Sequence, residues 1–187
     1  MTINDLVESL IIEVPECPLP TIRDMIRWAQ RELCSEGNVW VVSDGPVVVG
    51  ANTPFAEVEA PLGAEILRII SLADGDRALV PGADFKQLGG GGVHFMRSPP
   101  ESAMLTGSVS CMPTYGKDLP ATIMSRWSEA IMDGARSRLL ILPQPWQNPV
   151  LSEHYRRKFL DALAYAGDLA STGHQYGSIR MKVRGSI

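Results

Sequence analysis

The hydrophobic period changes twice along this chain, and that change limits the folds open to it. Residues 1–37 and 118–172 repeat apolar side chains at helical spacing, whereas 38–117 read as short strands and turns. Ile22, Met25, Ile26, Ala29 and Leu33 share one helix face, with Arg23, Arg27 and Arg31 on another. Pro18 and Pro20 place the start of that helix at Thr21, with Asp24 three residues on as a variant capping box. Gly37 is its natural stop. A shorter helix over Ile3, Leu6, Val7 and Leu10 precedes it and runs into Pro15. Helix returns at Asp118-Leu119-Pro120. Ile123, Trp127, Ala130, Ile131, Gly134, Leu139 and Leu142 then form a wide stripe that Pro143 and Pro145 end. Asn148 caps the next helix, Pro149 takes its first position, and Thr172-Gly173 closes it. Its stripe is Leu151, Tyr155, Phe159, Ala162, Leu163 and Ala166. The short proline-rich link predicts an antiparallel helical hairpin whose end Trp146 covers.

The middle block is rich in β-branched and aromatic residues. Strands are expected at Val39–Val42, Val47–Val49, Phe55–Glu59, Ile66–Leu72, Val93–Met96 and Met104–Met112. Asp44-Gly45-Pro46, Asn52-Thr53-Pro54, Asp74-Gly75, Pro81-Gly82 and Gly89 to Gly92 read as turns between them. The expected fold is therefore α+β: a helical bundle from 1–37 and 118–172, an inserted small antiparallel β domain over 38–117, and an extended C-terminal arm over 173–187.

Composition supports an ordinary globular core, with 45% hydrophobic and 20% charged residues. A net charge of −4 argues against a body covered in nucleic-acid-binding surface. Cys17, Cys34 and Cys111 form no CxxC pair, so a reducing compartment is expected rather than a disulfide framework. Leu6 to Ile12 is too short and acidic-flanked for a signal peptide, and no apolar run approaches the ~20 residues of a membrane span.

No catalytic pattern emerges. Gly89 to Gly92 is followed by Val93-His94-Phe95, not by the Lys and Ser/Thr of a phosphate loop, and it reads as a flexible hairpin tip. His94, His154 and His174 lack helical ligand spacing, so no metal is expected. Ser108 lies outside any GxSxG elbow. Cys111 and His94 share the β block, which leaves a thiol pair open, though a buried inert cysteine is the simpler reading. Glu57 with Glu59, and Asp74 with Asp76, read as solvated pairs. No cofactor is expected.

The tail differs from the body. Ile179, Met181 and Val183 alternate with Arg180, Lys182 and Arg184, a period of two. It holds three of the 17 basic residues and none of the 21 acidic ones, leaving the rest at 14 against 21. A lone strand cannot satisfy its own backbone, so these six residues are the candidate partner-binding segment, adding to a sheet edge in a neighbouring subunit or another protein. Arg23, Arg27 and Arg31 are weaker candidates and read first as a solvated helix face.

The order of several elements resembles the head–tail adaptor (connector) family of short-tailed and related bacteriophages. The lead is Val14-Pro15-Glu16-Cys17-Pro18, followed by a helix ending Arg31-Glu32-Leu33-Cys34 and a tryptophan strand, Val39-Trp40-Val41. Ala60-Pro61-Leu62-Gly63-Ala64-Glu65-Ile66-Leu67-Arg68-Ile69 is similar to that family's Leu-Pro-x-Gly-Ala-Glu-Val-x-Arg-Val element. Leu119-Pro120, Trp127 to Ala130-Ile131, Gly134-Ala135, Arg138-Leu139-Leu140, Pro145-Trp146-x-Asn148-Pro149, Tyr155 and Phe159 resemble its helical hairpin, and Arg180 to Arg184 its basic ending. The segment around Gly89 to Gly92 matches no part of the pattern. The resemblance implies a virion protein made in the host cytoplasm. It implies a homo-oligomer ring, typically a dodecamer, between the portal protein and the tail or nozzle proteins, through which DNA passes without specific binding and without a membrane. Two other classes stay open: a small intracellular hydrolase using Cys111 or Ser108, and a nucleic-acid-binding module using the basic tail.

Overall fold

A computed structural model describes residues 1–171, and the expected arm, with Ile179, Arg180, Met181, Lys182, Val183 and Arg184, lies outside the described residues. So does the Thr172-Gly173 stop. The architecture is mixed α/β, and every strand pair is antiparallel. Among the described residues, five helices, α1 (Ile3–Ile11), α2 (Leu19–Gly37), α3 (Ala121–Arg126), α4 (Ser128–Leu139) and α5 (Pro149–Ser171), enclose seven strands in sequence. These are β1 (Val41–Val49), β2 (Phe55–Glu57), β3 (Ala64–Asp74), β4 (Arg77–Ala78), β5 (Phe85–Gln87), β6 (Gly92–Phe95) and β7 (Ala103–Pro113).

Helix α1 carries the capping box of the chain: the Asp5 amide donates to the Thr2 hydroxyl, and the Thr2 amide donates to Asp5. Helix α2 starts at Leu19, two residues before the Thr21 expected from the prolines, and has no side-chain cap. Pro20 falls in the first turn, where an amide hydrogen has no helical acceptor, so it costs the helix nothing. The C-cap is Asn38 in the left-handed region, at φ 49°. Gly37 serves a different need: a Cβ there would lie 2.8 Å from the Ala166 Cβ of α5. The stripe expected to be one helix from Pro120 is broken at Trp127 (φ −106°, ψ 17°) into α3 and α4. Asn148 caps α5 as expected, its carboxamide oxygen accepting the Leu151 amide at 3.1 Å. Trp146 closes the α4–α5 link by donating its indole N–H to the Leu139 carbonyl.

Helix α2 packs on α4 and α5, α1 packs on α2, and α2 also rests against β7. Ile22, Ile26, Ala29 and Leu33 of α2 meet Ile131, Ala135 and Leu139 of α4 and Phe159 of α5, all buried. The buried Gln30 carboxamide accepts the Leu119 amide at 2.9 Å, fixing where the chain leaves the sheet for α3.

The strands form two sheets, ordered β1-β7-β3-β4 and β2-β6-β5. Val47, Val49, Leu72 and Leu105 from the larger sheet and Val58, Phe85, Val93 and Phe95 from the smaller are buried in the layer between them. The expected strands 39–42 and 47–49 are one continuous strand, β1. The Asp44-Gly45-Pro46 segment is not a turn, because a β-bulge between Val42 and Gly45 absorbs the extra residue. Pro46 is tolerated because β1 is an edge strand. Strands β4 and β5, too short to carry a periodic signal, are additions to the expected set. Gly89 to Gly92 does lie at the β5–β6 turn, and it is closely packed: a side chain on Gly91 would collide with the Val58 carbonyl and lie 2.9 Å from the Ile66 side chain of β3 in the larger sheet. Beside it, Gln87 caps an open stretch of β3, accepting the Ile69 amide at 2.9 Å and donating to the Leu67 carbonyl.

Candidate interaction surface

The groups best suited to nucleophilic chemistry are placed to be inert. Cys111 and Cys34 have no exposed surface. Burial pushes the Cys34 thiol up to about 12, with the neighbouring Cys111 adding to it, and burial raises the Cys111 and Cys17 thiols as well. A thiol held above its ordinary range is not a nucleophile at neutral pH. The histidine proposed as its partner is engaged elsewhere, since the His94 ring stacks on Phe55 of β2 at 4.8 Å. Ser108 is half-buried in the centre of β7. Among the described residues, no group of three or more His, Cys, Asp or Glu could hold a metal, and no helix is long and apolar enough to cross a membrane. A cleft of about 570 Å³ lies where β4, β6 and β7 end, with Arg77 paired to Asp84 at 3.1 Å and Arg97, Ser98 and Pro99 at its rim. It is lined by no cysteine, histidine or threonine, and its one hydroxyl, Ser98, has no histidine in the lining to act as its base.

The arginine row of α2 is a solvated face only in part: Arg23 is exposed, whereas Arg27 and Arg31 are half-buried. Arg23 donates to the Asn4 carboxamide, Arg27 pairs with Asp118 at 2.9 Å, and Arg31 pairs with Glu65 at 2.8 Å and donates to the Pro113 carbonyl. The row ties α2 to α1, to the lead into α3, and to the ends of β3 and β7. Arginine reaches this far because its guanidinium stands at the end of a long stem and forks to two acceptors. Arg68 adds a fourth tie, to the Ser35 carbonyl at 2.8 Å.

What the body leaves open is the edge of the larger sheet. Strand β1 pairs with β7 on one side, and no described strand pairs with the other. The Cys111 amide donates to the Trp40 carbonyl, so the alternation of the antiparallel ladder turns the Val41 amide and carbonyl outward, away from β7. On the outer face, Val48 and Met104 are directly opposed across β1 and β7, and they are 68% and 71% exposed. Strand β2 lies beside β1 and exposes Phe55 and Glu57. Residues 38–64 contain Asp44, Glu57 and Glu59 and no lysine or arginine. The edge therefore carries an exposed apolar pair on its outer face, with Glu57 exposed on the neighbouring β2.

Helix α5 passes close to the segment that leads into β1. Trp28 of α2 stacks near Phe159 of α5 at 5.6 Å, and nine residues further along α2 Gly37 meets Ala166, so the two helices run side by side in the same direction. Ala166 also borders Asn38 and Val39, where the chain turns into β1. Ser171 is about one helical turn beyond.

No family model matches the chain, and no curated protein is significantly similar to it.

Proposed function

We propose that this protein is a non-enzymatic structural subunit, the head–tail adaptor of a tailed bacteriophage. In this reading the helices form one bundle, the two sheets are an insertion within it, and 173–187 is an assembly arm. Copies associate into a ring, dodecameric as the resemblance implies, between the portal protein and the tail or nozzle proteins. DNA passes through without being specifically bound. The arm residues Ile179 to Arg184 dock on the portal or on a neighbouring subunit.

The observation that supports this most directly is the pairing of opposites. The alternating basic segment 179–184 follows α5 in a chain whose body is net acidic and carries an open sheet edge with Glu57 exposed beside it. The assignment to a phage adaptor in particular rests on the ordered resemblance over most of the chain. A net-negative wall suits a DNA conduit, because repulsion keeps phosphates from adhering.

The test is negative-stain imaging of the full chain, alone and mixed with the portal protein encoded alongside it, with a chain lacking 174–187 as control. The expected result is discrete rings or ring–portal complexes for the full chain. The truncated chain should be folded but unassembled. A full chain that stays monomeric alone and with portal sinks the reading, and a truncated chain that assembles normally sinks the role given to the arm.

A further inference from the structure

We infer that the open edge of β1 is the acceptor for the arm of a second copy of this chain, with residues 179–184 adding to the larger sheet as an intermolecular strand. The inference rests on the adaptor reading and names the partner surface that reading leaves unspecified.

The backbone argument comes first. A strand edge presents unpaired N–H and C=O groups that accept any strand of compatible length and twist. β1 is nine residues long, which bounds how much of the arm can pair with it. Its bulge and Pro46 interrupt the edge near the middle, which leaves two usable stretches, around Val41 and Val47 to Val49. The alternation of the arm suits the second of these. Ile179, Met181 and Val183 would extend the exposed apolar row of Val48 and Met104. On the other side, Arg180, Lys182 and Arg184 would face β2 and the carboxylates of Glu57 and Glu59. Period two on the arm thus matches an edge whose two flanks differ in polarity.

Reach allows a neighbour's arm to make this contact. Sixteen residues follow Ser171, about 50 Å when extended, which is ample to leave the subunit. A neighbour's arm is free to arrive antiparallel to β1, the more stable pairing. Exchange of identical segments around a ring closes it with one self-consistent contact per subunit.

The test uses two full-length variants, Val48→Cys and Met181→Cys, each expressed separately. Val48 is exposed, so its replacement leaves the core intact. The two are mixed, allowed to assemble and oxidised, with the double variant Val48→Cys/Met181→Cys diluted below assembly as the in-chain control. The expected result is a covalent dimer that forms only in the mixture of the two single variants and disappears on dilution. A charge exchange checks the same contact independently. Arg180→Glu/Lys182→Glu/Arg184→Glu should reduce assembly at least tenfold, and adding Glu57→Lys/Glu59→Lys in the same chain should restore it. Rings that form while no cross-link appears and no charge rescue occurs overturn the inference but leave the adaptor reading intact. A cross-link found only within single chains shows the arm docking on its own body and overturns it as well. Failure of the unmodified chain to assemble, alone or with portal, removes both.

Discussion

Gly37 ends α2 at the point where α5 comes closest, and its missing side chain is what allows the approach. A Cβ at Gly37 would stand 2.8 Å from that of Ala166, well inside normal contact. The same device recurs at Gly134 of α4, where a Cβ would lie 2.9 Å from Ala29 and from the Phe159 ring. Between them the two glycines set the spacing of α2, α4 and α5. Gly37→Ala gains helix propensity, worth up to about 1 kcal/mol, and incurs overpacking of about 1–3 kcal/mol. Overpacking wins because the facing atom is a short Ala166 side chain fixed to its own helix, with no rotamer to move away. The expected outcome in urea denaturation is a net loss of about 1–2 kcal/mol. Gly37→Ala/Ala166→Gly should recover part of that loss, since the two sites are in contact and non-additive. A Gly37→Ala chain as stable as the parent would show that α5 is not held where the structure puts it.

At the scale of elements, β1 is the most informative case. Asp44-Gly45-Pro46 has the composition of a turn, yet the strand runs through it. A bulge and an edge proline use the same residues as a turn, and which is formed depends on what β7 pairs with some sixty residues later. The register can be checked directly. Val47 is fully buried and Val48 is largely exposed. Val47→Ala should therefore cost about 2 kcal/mol, whereas Val48→Thr should stay within about 0.5 kcal/mol. Equal costs, or the reverse order, would mean that β1 is shifted by one residue. The helices were legible from sequence because each buries a stripe whose period needs no partner to be recognised: α1, α2 and α5 fall close to their expected ranges, and the Asn148 cap is where the sequence places it. The break at Trp127 was not legible, since the apolar stripe continues through it. The arginine row of α2 was read as solvated because its acceptors, Asp118, Glu65 and the Pro113 carbonyl, come from distant segments. Edge status is equally non-local. The arm announced itself by alternation and charge, but the strand order that leaves β1 open appears only once the chain is folded.

Over the whole molecule, charge is divided between body and tail, and this division makes the adaptor reading testable against DNA. Outside the tail the chain holds 14 basic and 21 acidic residues, and within the tail three basic and none acidic. Many of the body's cations are also committed: Arg27, Arg31, Arg77, Arg136, Arg156 and Arg157 each pair with a carboxylate. If the arm's three cations served phosphates, duplex affinity would fall with salt at a log–log slope of roughly −2.7. If they are spent on carboxylates of a neighbouring subunit, that counterion release has no source. The assembled protein should then show weak DNA retention, with a slope shallower than about −1 between 50 and 200 mM salt in filter binding. A steep slope that persists in the assembled state, and is lost on deleting 174–187, would assign the arm to nucleic acid. The free chain is the informative comparison. If the arm docks on a neighbour, dilution frees it, so residual affinity should be greatest in the free chain and should decline as the protein associates. That inverse relation between assembly and DNA binding follows only if one segment serves both, and it separates a conduit, which must not hold its cargo, from a binding module, which must.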